Sequence, residues 1–303
     1  MENNELPEFL INMLKEQYGE EVTNKIVQGY KTKRIVTLRV NTLKSNLEKV
    51  LKVLEENKIE YDTVSWSKEA LIIKNVTEKE IKELDIYENG EIYLQSLSSM
   101  LPPIVLDPKE GKDILDMAAA PGGKTTQIAA LTQNRAHITA CEMNNIRAER
   151  LKFNVLKQGA SSVYVMQKDS RILDDFFSFD QVLLDAPCSG SGTLELSNPN
   201  LNKNFTKKLI EKSVNSQTAL LQKALKVLKK GETMVYSTCS ILCQENEDIV
   251  IKFLSKFNCE IIPIELDGIS ELPLLPSKIP GTLCVCPNEL YEGFFIAKIM
   301  KKV

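Results

Sequence analysis

The sequence predicts an α/β protein in two parts, a small α+β module followed by a mostly parallel sheet with helices on both faces. Its 303 residues exceed one ordinary domain and suggest about two. The N-terminal third orders its segments as β-α-β-β-α-β, which is typical of a ferredoxin-like module. From residue 113 onward, single strands alternate with helical segments, as in a parallel sheet. We therefore expect one domain at residues 1–95 and a second at residues 96–303.

The first part opens with a helix, which apolar side chains at helical spacing predict over residues 5–30. Strands are then predicted, in chain order, at residues 35–40, 61–66, 70–74 and 91–94. Between them, Ser45 with Glu48 forms a capping-box pattern ahead of an amphipathic helix. Thr77 with Glu80 repeats that pattern ahead of a short helix, which completes the module.

The second part begins after the two prolines at positions 102 and 103, where the rhythm of the sequence changes. Its strands are predicted at residues 113–117, 136–141, 163–167, 181–184, 233–237, 259–266 and 293–299. Helical runs separate the early strands, so the sheet should be covered on both faces. Ligands of such sheets bind at the carboxyl ends of the strands, which is where functional residues are expected.

Composition excludes several classes of protein. Hydrophobic residues at 43% and charged residues at 26% are typical of a globular chain with a packed core. The longest apolar runs are only a few residues, far below the roughly 18 to 20 that a membrane helix needs. Residues 1–5 read MENNE, acidic where a signal peptide is basic. We expect a cytoplasmic monomer that makes no membrane contact and holds no metal.

Seven cysteines, an odd number, favour free thiols over a disulfide framework. His137 is the one histidine, so a Ser-His-Asp hydrolase or a multi-histidine metal site would have to be built around it alone. Cysteine spacings at 239/243 and 284/286 differ from those of the usual four-thiolate zinc sites. The formal charge of −3 gives no global attraction to nucleic acid, so such a partner needs a local patch.

A loop of small residues, DMAAAPGGKT at 116–125, follows a predicted strand and opens a helix. Small residues let a ligand approach the backbone, and the helix start offers unpaired N–H groups. A P-loop would need glycine where Ala118 stands, which disfavours an NTPase. Glu142 and Asp169 end the next two strands, within reach of a ribose and of an adenine edge. These strand ends together predict an adenosine-type cofactor site.

Two cysteines follow the fourth and fifth strands of this sheet. Residues 185–193 read DAPCSGSGT and residues 236–240 read YSTCS, so Cys188 and Cys239 should lie near Asp185. A lone free cysteine is usually a small core residue, but two at strand ends beside an aspartate favour chemistry. The core interpretation is kept for Cys141, Cys243 and Cys259.

A thiol, an aspartate, a lysine and an adenosine cofactor suit methylation of a pyrimidine carbon. Thiolate addition to carbon 6 of cytosine makes carbon 5 nucleophilic toward the methyl group of S-adenosylmethionine. An acid at ring nitrogen 3 favours the adduct, and a base later removes the carbon 5 proton. Asp185 and Lys124 are the available polar groups. The residues alone do not rank the thiols, and the Pro-Cys thiol of DNA cytosine methyltransferases would select Cys188.

These motifs resemble the Sun/Fmu (RsmB/Nop-type) family of RNA cytosine-5 methyltransferases, over essentially the whole chain. The matching segments are residues 118–124, 185–190 and 237–240, with 39–41, 245–247 and 293–297. The resemblance implies a Rossmann-like class I methyltransferase domain with seven strands, S-adenosylmethionine as cofactor, and structured ribosomal or transfer RNA as substrate.

By the same resemblance, Cys239 is the nucleophile, Cys188 assists breakdown of the covalent adduct, and Asp185 and Lys124 contact the base. The cofactor residues that it implies are Ala118, Ala119, Ala120, Pro121, Gly122, Gly123, Lys124, Glu142, Arg147, Asp169 and Asp185. Two alternatives remain open: a ribose 2′-O-methyltransferase, whose loop can also read AAPGG, and a non-catalytic RNA-binding assembly factor on the same fold.

RNA contacts are expected from the N-terminal module and from the catalytic surface, since no extra RNA-binding domain is evident. Residues 203–230 contain eight lysines and one acid, Glu211. This local excess of charge either tracks phosphates or forms a solvated helix face.

Overall fold

The computed structural model describes residues 6–197 and 201–303, without the side chains of residues 202 and 203. Lys203 of the lysine-rich stretch therefore lies outside the described side chains. The helices, in chain order, are α1 (Glu8–Lys31), α2 (Leu47–Glu56), α3 (Glu78–Lys82), α4 (Asp85–Glu88), α5 (Leu97–Leu106), α6 (Gly123–Leu131), α7 (Asn145–Lys157), α8 (Leu201–Asn204), α9 (Lys207–Val227) and α10 (Glu247–Leu254). The strands are β1 (Val36–Val40), β2 (Tyr61–Val64), β3 (Ser67–Ile73), β4 (Ile92–Leu94), β5 (Asp113–Asp116), β6 (His137–Cys141), β7 (Val163–Met166), β8 (Phe179–Asp185), β9 (Leu228–Thr238), β10 (Cys259–Ile262), β11 (Leu283–Val285) and β12 (Phe294–Lys301).

The first sheet is antiparallel, with strand order β2-β3-β1-β4, and confirms the predicted ferredoxin-like module. The predicted cap at Thr77 is also confirmed, because the Glu80 carboxylate accepts from the Thr77 backbone N–H at 2.7 Å. The capping box predicted for Ser45 is wrong. Asn46 caps α2 instead by accepting from a backbone N–H in its first turn at 2.9 Å, while the Ser45 hydroxyl donates to Glu91.

The second sheet has the order β10-β12-β9-β8-β5-β6-β7, and β5 to β9 are parallel. The seven predicted strands are confirmed, and the three-residue strand β11 adds an eighth at β12. Side chains alternate between two cores: Val182 and Leu184 point to the core beneath α9, and Leu183 points to the core beneath α5. The α/β class and the mostly parallel sheet follow as expected.

Helix α1 packs against the second sheet, although it precedes the N-terminal module in the chain. Its buried Leu10, Leu14 and Ile26 belong to the same core as the α9 side of the sheet. At its carboxyl end, the Tyr30 hydroxyl donates to the Ser191 carbonyl oxygen at 2.5 Å. Halfway along, the Tyr18 hydroxyl donates to a backbone carbonyl just beyond β9 at 2.6 Å. Helix α1 therefore braces the loops that follow β8 and β9.

Helix α5 joins the two sheets and contains both prolines that the sequence analysis placed at a boundary. Pro103 has no N–H to offer the Ser99 carbonyl, and the Gln95 side chain donates to that oxygen at 3.1 Å instead. A second link comes from Trp66, which is 5% exposed and whose indole N–H donates to the Tyr291 hydroxyl at 3.0 Å. Within the described ranges, none of the helices combines the length and apolar composition needed to span a bilayer.

Candidate active site

The carboxyl ends of β5, β8 and β9 border a cleft of about 1120 Å³ that also reaches the N-terminal module. The predicted site residues that line it are Asp185, Cys239, Ala118, Ala119, Ala120, Pro121, Gly123 and Lys124. The lining does not include Gly122, Glu142, Arg147, Asp169 or Cys188, which lie behind or beside it. The module supplies the facing wall, including Tyr93 and Gln95. The edge predicted from strand order thus borders a large cleft.

The small-residue loop forms a close-fitting cradle between β5 and α6. Gly122 has φ 110° at the start of α6, a left-handed conformation that favours glycine. An added Cβ on Gly123 would lie 3.1 Å from the ring of Tyr93, so larger side chains would fill the cleft. The loop is pinned to the sheet because the Ala119 N–H donates to the Cys141 carbonyl at 2.9 Å. Backbone rather than side chains therefore faces this end of the cleft.

The acids predicted for the cofactor lie beside the loop and are bonded to their own neighbours. Arg147 donates to the Ala120 carbonyl at 2.9 Å and lies 3.4 Å from the buried Glu142 carboxylate. Asp169 accepts from the Arg171 guanidinium at 2.7 to 3.0 Å, and these hydrogen bonds hold its pKa below the usual range. Arg147 thus supports the loop from outside, a role that its sequence position did not reveal.

Lys124 and Asp185 form an ion pair at the floor of the cleft. The Lys124 Nζ lies 2.7 Å from Asp185 Oδ2 and donates to the Ser99 hydroxyl at 2.8 Å. The Ser237 hydroxyl donates to the other Asp185 oxygen at 2.8 Å. Burial lowers the pKa of Lys124, but the attraction of Asp185 outweighs it and the pKa is raised. The pair therefore presents a fixed cation and a fixed anion to the cleft.

Asp116 lies beneath the loop and is 1% exposed. Its burial raises the pKa from 3.8 to about 6, although the Thr125 hydroxyl donates to it at 2.7 Å. Asp185 raises it further, and Lys124 offsets only part of these effects. Asp116 is thus a carboxyl group with incomplete charge compensation, and a cationic ligand in the cleft would favour its ionised form.

The two thiols of Cys188 and Cys239 lie 2.9 Å apart, sulfur to sulfur, and both are free. The pKa of Cys188 is raised well above its ordinary value by its hydrogen bond to Cys239, by burial and by the charge of Glu245. Cys239 lines the cleft and is one of the groups that raise the pKa of Lys124. Cys188 therefore keeps its proton, and Cys239 is the thiol that faces the cation and the cleft.

A buried carboxylate to which the sequence analysis assigned no role lies behind the thiols. Glu245 is 0% exposed and accepts from the Ser189 N–H at 2.7 Å and from the Ser189 hydroxyl at 2.6 Å. The Ser240 hydroxyl donates to the same carboxylate at 2.6 Å. The matching segment 245–247 includes Glu245, but an acid just ahead of a helix also resembles an ordinary cap, so the sequence did not indicate its role.

The lysine-rich stretch is divided by the structure. Lys223 and Lys226 pair with Asp175, the latter at 3.5 Å, and Lys229 pairs with Asp180 at 2.8 Å. The exposed lysines at the start of α9 are Lys207, Lys208 and Lys212. The exposed Lys230 lies in β9, so a phosphate-tracking surface on α9 itself would be confined to its first turns, which follow the Cys188 segment.

The remaining cysteines pack in the interior or partly within it. Cys284 is 2% exposed and lies 3.6 Å from the Tyr18 hydroxyl, and burial raises the pKa of its thiol. In residues 6–197 and 201–303, no three side chains of the types that ligate metals come together. Cys243 and Cys284 are buried, and Cys286 is partly buried against the same core as Cys284.

Both parts of the chain match models of known protein families. Residues 103–300 match the model of the 16S rRNA methyltransferase RsmB/F family, and residues 6–78 match that of the RsmF/B-like ferredoxin-like domain. Ribosomal RNA small subunit methyltransferase F of Shewanella piezotolerans is 33% identical over 308 residues, covering 96% of this chain and 63% of that protein. The tRNA (cytosine(49)-C(5))-methyltransferase of Pyrococcus abyssi is 36% identical over 275 residues, 88% of each chain.

Among solved structures, NSun6 from Pyrococcus horikoshii with SFG superposes with a TM-score of 0.85 at 27% identity, covering 98% of each chain. The chain spans less than two thirds of the Shewanella relative, at 63% of its length.

Proposed function

The chain belongs to the RsmB/F family of methyltransferases, as its motifs indicated, and from that membership we propose that it methylates carbon 5 of a cytosine in RNA. Its relatives act on ribosomal RNA or on transfer RNA by name, so the proposed substrate is a structured RNA of one of these kinds. One chain supplies every residue of the candidate site, which favours a monomer. Relatives of this kind also favour action in the cytoplasm, where these RNAs are modified.

One observation carries the proposal: two free thiols 2.9 Å apart, one of them facing a lysine and aspartate pair in the cleft. A ribose methyltransferase needs neither thiol, and a non-catalytic factor has no chemical use for them. Cytosine-5 methylation uses a thiol twice, first to attack the ring and then to leave it. The arrangement therefore favours the cytosine-5 reaction over both alternatives.

S-adenosylmethionine is the cofactor that we assign to the cleft, and the family and the relative with SFG, an analogue of it, support this. The residues fit such a group: the 118–123 loop offers backbone and small side chains, and Asp116 is a buried acid suited to a cationic ligand. Glu142 and Asp169, at the next strand ends, would hold the ribose and the adenine. When bound, the cofactor supplies an electrophilic methyl group.

The remaining chemistry belongs to residues of this chain. The Cys239 thiol loses its proton, and the thiolate adds to carbon 6 of the cytosine, which makes carbon 5 nucleophilic. Lys124 and Asp185 contact the base, where a proton given to ring nitrogen 3 stabilises the charge that addition places on the ring. Because the base must leave its stack to reach them, the cleft should receive an unstacked nucleotide.

Breakdown of the adduct is assigned to Cys188. After a base removes the carbon 5 proton, the bond between carbon 6 and the Cys239 sulfur breaks and the departing sulfur gains a proton. Cys188 keeps its proton because its pKa is raised, and it lies 2.9 Å from that sulfur. It is therefore placed to donate the proton as Cys239 leaves.

The test compares Cys239→Ser, Cys188→Ser and the control Cys243→Ser on total RNA from cells that lack the gene. We expect no methylation with Cys239→Ser, and with Cys188→Ser an RNA adduct that survives a denaturing gel. Bisulfite sequencing with and without the gene identifies the cytosine. Methyl groups on ribose, or full activity without both thiols, would overturn the proposal, and trapping by Cys239→Ser alone would reverse the two roles.

A further inference from the structure

We infer that Glu245 is a positioning residue that clamps the Cys188 loop, defined as residues 186–193, against the turn that carries Cys239. The inference rests on the proposed function, because it concerns the contact between the two thiols that the reaction uses. Glu245 touches neither the cleft nor either sulfur by a hydrogen bond in this structure. Its effect on catalysis would therefore pass through the two serines.

Each contact of the clamp is short and buried. The carboxylate accepts two hydrogen bonds from Ser189, at 2.7 and 2.6 Å, and one from Ser240 at 2.6 Å. A second link joins the same segments, because the Ser191 and Ser240 hydroxyls lie 2.8 Å apart and Ser191 accepts from the Ile241 N–H at 3.0 Å. Ser191, Ser240 and Glu245 are all 0% exposed. Water therefore does not compete for these bonds, and each is correspondingly strong.

The two thiols depend on the clamp unequally. Cys239 directly follows Thr238, which pairs with Phe295 in β12, so the sheet itself holds the nucleophile. On the other side, backbone pairing between β8 and β9 ends where the Ala186 N–H donates to Ser237 at 2.8 Å. After Ala186, the next backbone N–H that makes a hydrogen bond is that of Ser189, which donates to the Glu245 carboxylate. Loss of the carboxylate should therefore release Cys188 more than Cys239.

The charge of Glu245 acts in the same direction. It is one of the groups that raise the pKa of Cys188, which keeps that thiol protonated for its part in adduct breakdown. A loosened loop would both expose Cys188 and remove this electrostatic bias. The two consequences cannot cancel in an alkylation experiment, because each makes Cys188 react faster with an electrophile.

The experiment uses Glu245→Gln, with Glu247→Gln as the matched control. Glutamine keeps the shape of the side chain and one acceptor for the Ser189 N–H, so folding should be retained. Its amide nitrogen cannot accept from the Ser189 and Ser240 hydroxyls, so the clamp should be weakened. Glu247 is also a buried acid, at 1% exposure, but it accepts from Ser277 at 3.0 Å and not from the thiol segments. Alkylation by iodoacetamide, followed at Cys188 by peptide mass mapping, needs no RNA and no activity.

We expect at least tenfold faster alkylation of Cys188 in Glu245→Gln and no change in Glu247→Gln. In single turnovers with RNA, Glu245→Gln should form the adduct within about twofold of the normal rate and release it about 10 to 100 times more slowly, as misplacement of a catalytic group does. Unchanged alkylation would overturn the inference, and so would equal slowing of adduct formation and release.

Faster alkylation together with no cytosine-5 product from the unsubstituted protein would overturn the proposed function while supporting the clamp. If Glu245→Gln does not fold, Ser189→Ala answers the same question, because it removes one of the two bonds from the Cys188 loop and leaves the carboxylate in place. Normal alkylation and adduct release in Ser189→Ala would then overturn the inference.

Discussion

The Lys124–Asp185 ion pair allows the electrostatics of the site to be tested without RNA or cofactor. Its charged atoms are 2.7 Å apart, and the side chains are 14% and 26% exposed. Each charge keeps one further partner, Ser99 for the ammonium and Ser237 for the carboxylate, both at 2.8 Å. The perturbation is a double-mutant cycle with Lys124→Met, Asp185→Asn and the two together.

The expected magnitude follows from this exposure. Exposed ion pairs contribute about 0.2–1 kcal/mol, whereas removing one partner of a buried pair costs about 3–5 kcal/mol because the other charge is left alone. The exposure of this pair is closer to that of a buried pair, but the serines still donate to or accept from the charge that is left after one partner is removed. Each single substitution should therefore lower the free energy of unfolding by about 2–3 kcal/mol. The double variant leaves neither charge unpaired and should cost about the same, which gives a coupling of about 2 kcal/mol.

The assay is urea unfolding followed by the fluorescence of Trp66, the single tryptophan, which is buried where the two sheets meet. A control cycle at the exposed pair of Glu21 and Lys25, 2.8 Å apart, should show a much smaller coupling. Additive effects of Lys124→Met and Asp185→Asn would refute the reasoning, since they would mean that each charge is stabilised independently of the other.

Two further predictions concern pH and salt. Burial raises the pKa of Asp116 from 3.8 to about 6, so the folded state loses stability as pH rises through that interval. Asp116→Asn lacks this loss. In urea unfolding, its free energy of unfolding relative to that of the unsubstituted protein should therefore rise by about 3 kcal/mol between pH 3.5 and pH 7. A pH-independent difference would contradict the assignment of a charge-deficient site. Replacing Lys207 and Lys208 by alanine should reduce the slope of log Kd for RNA against log salt by about 1 to 2. Replacing the ion-paired Lys226 and Lys229 by alanine should leave that slope unchanged. Equal slopes for the Lys207 and Lys208 variant and the unsubstituted protein would mean that the start of α9 is a solvated face that does not contact RNA phosphates.

Strand order alone predicted the neighbourhood of the site. Carboxyl ends of parallel strands share one edge, so the positions of Cys188 and Cys239 after β8 and β9 were enough to place them together beside Asp185. The 2.9 Å separation of the sulfurs could not be predicted from the sequence, because it depends on the path of the backbone beyond the last paired residues of the two strands. Arg147 remains a predicted cofactor residue, and its hydrogen bond to the loop carbonyl of Ala120 is a contact that the sequence did not reveal.

Side-chain hydrogen bonds explain where the local patterns misled. A pair of prolines usually interrupts a helix, yet α5 continues through positions 102 and 103 because Gln95, outside the helix, bonds to the carbonyl that Pro103 frees. Ser45 has the sequence position of a cap, but Glu91, far along the chain, takes its hydroxyl at 2.9 Å. The contact that displaces Ser45 spans 46 residues and is invisible in a local pattern, whereas Gln95 lies only four residues before Ser99 and was not recognised as its donor.

Beyond the paired strands, a backbone hydrogen bond joins the segments after β8 and β9, from the Gly192 N–H to the Cys239 carbonyl at 2.9 Å. The residues after each cysteine supply further contacts. Cys188 precedes Ser189 and Cys239 precedes Ser240, and both serine hydroxyls donate to the one carboxylate of Glu245. Burying a carboxylate in a core is unfavourable unless hydrogen-bond donors surround it. The burial of Glu245 is therefore stabilised only when both segments are present and in register. In the proposed reaction, each Cys-Ser pair is therefore a unit in which the cysteine supplies the thiol and the serine holds it in place.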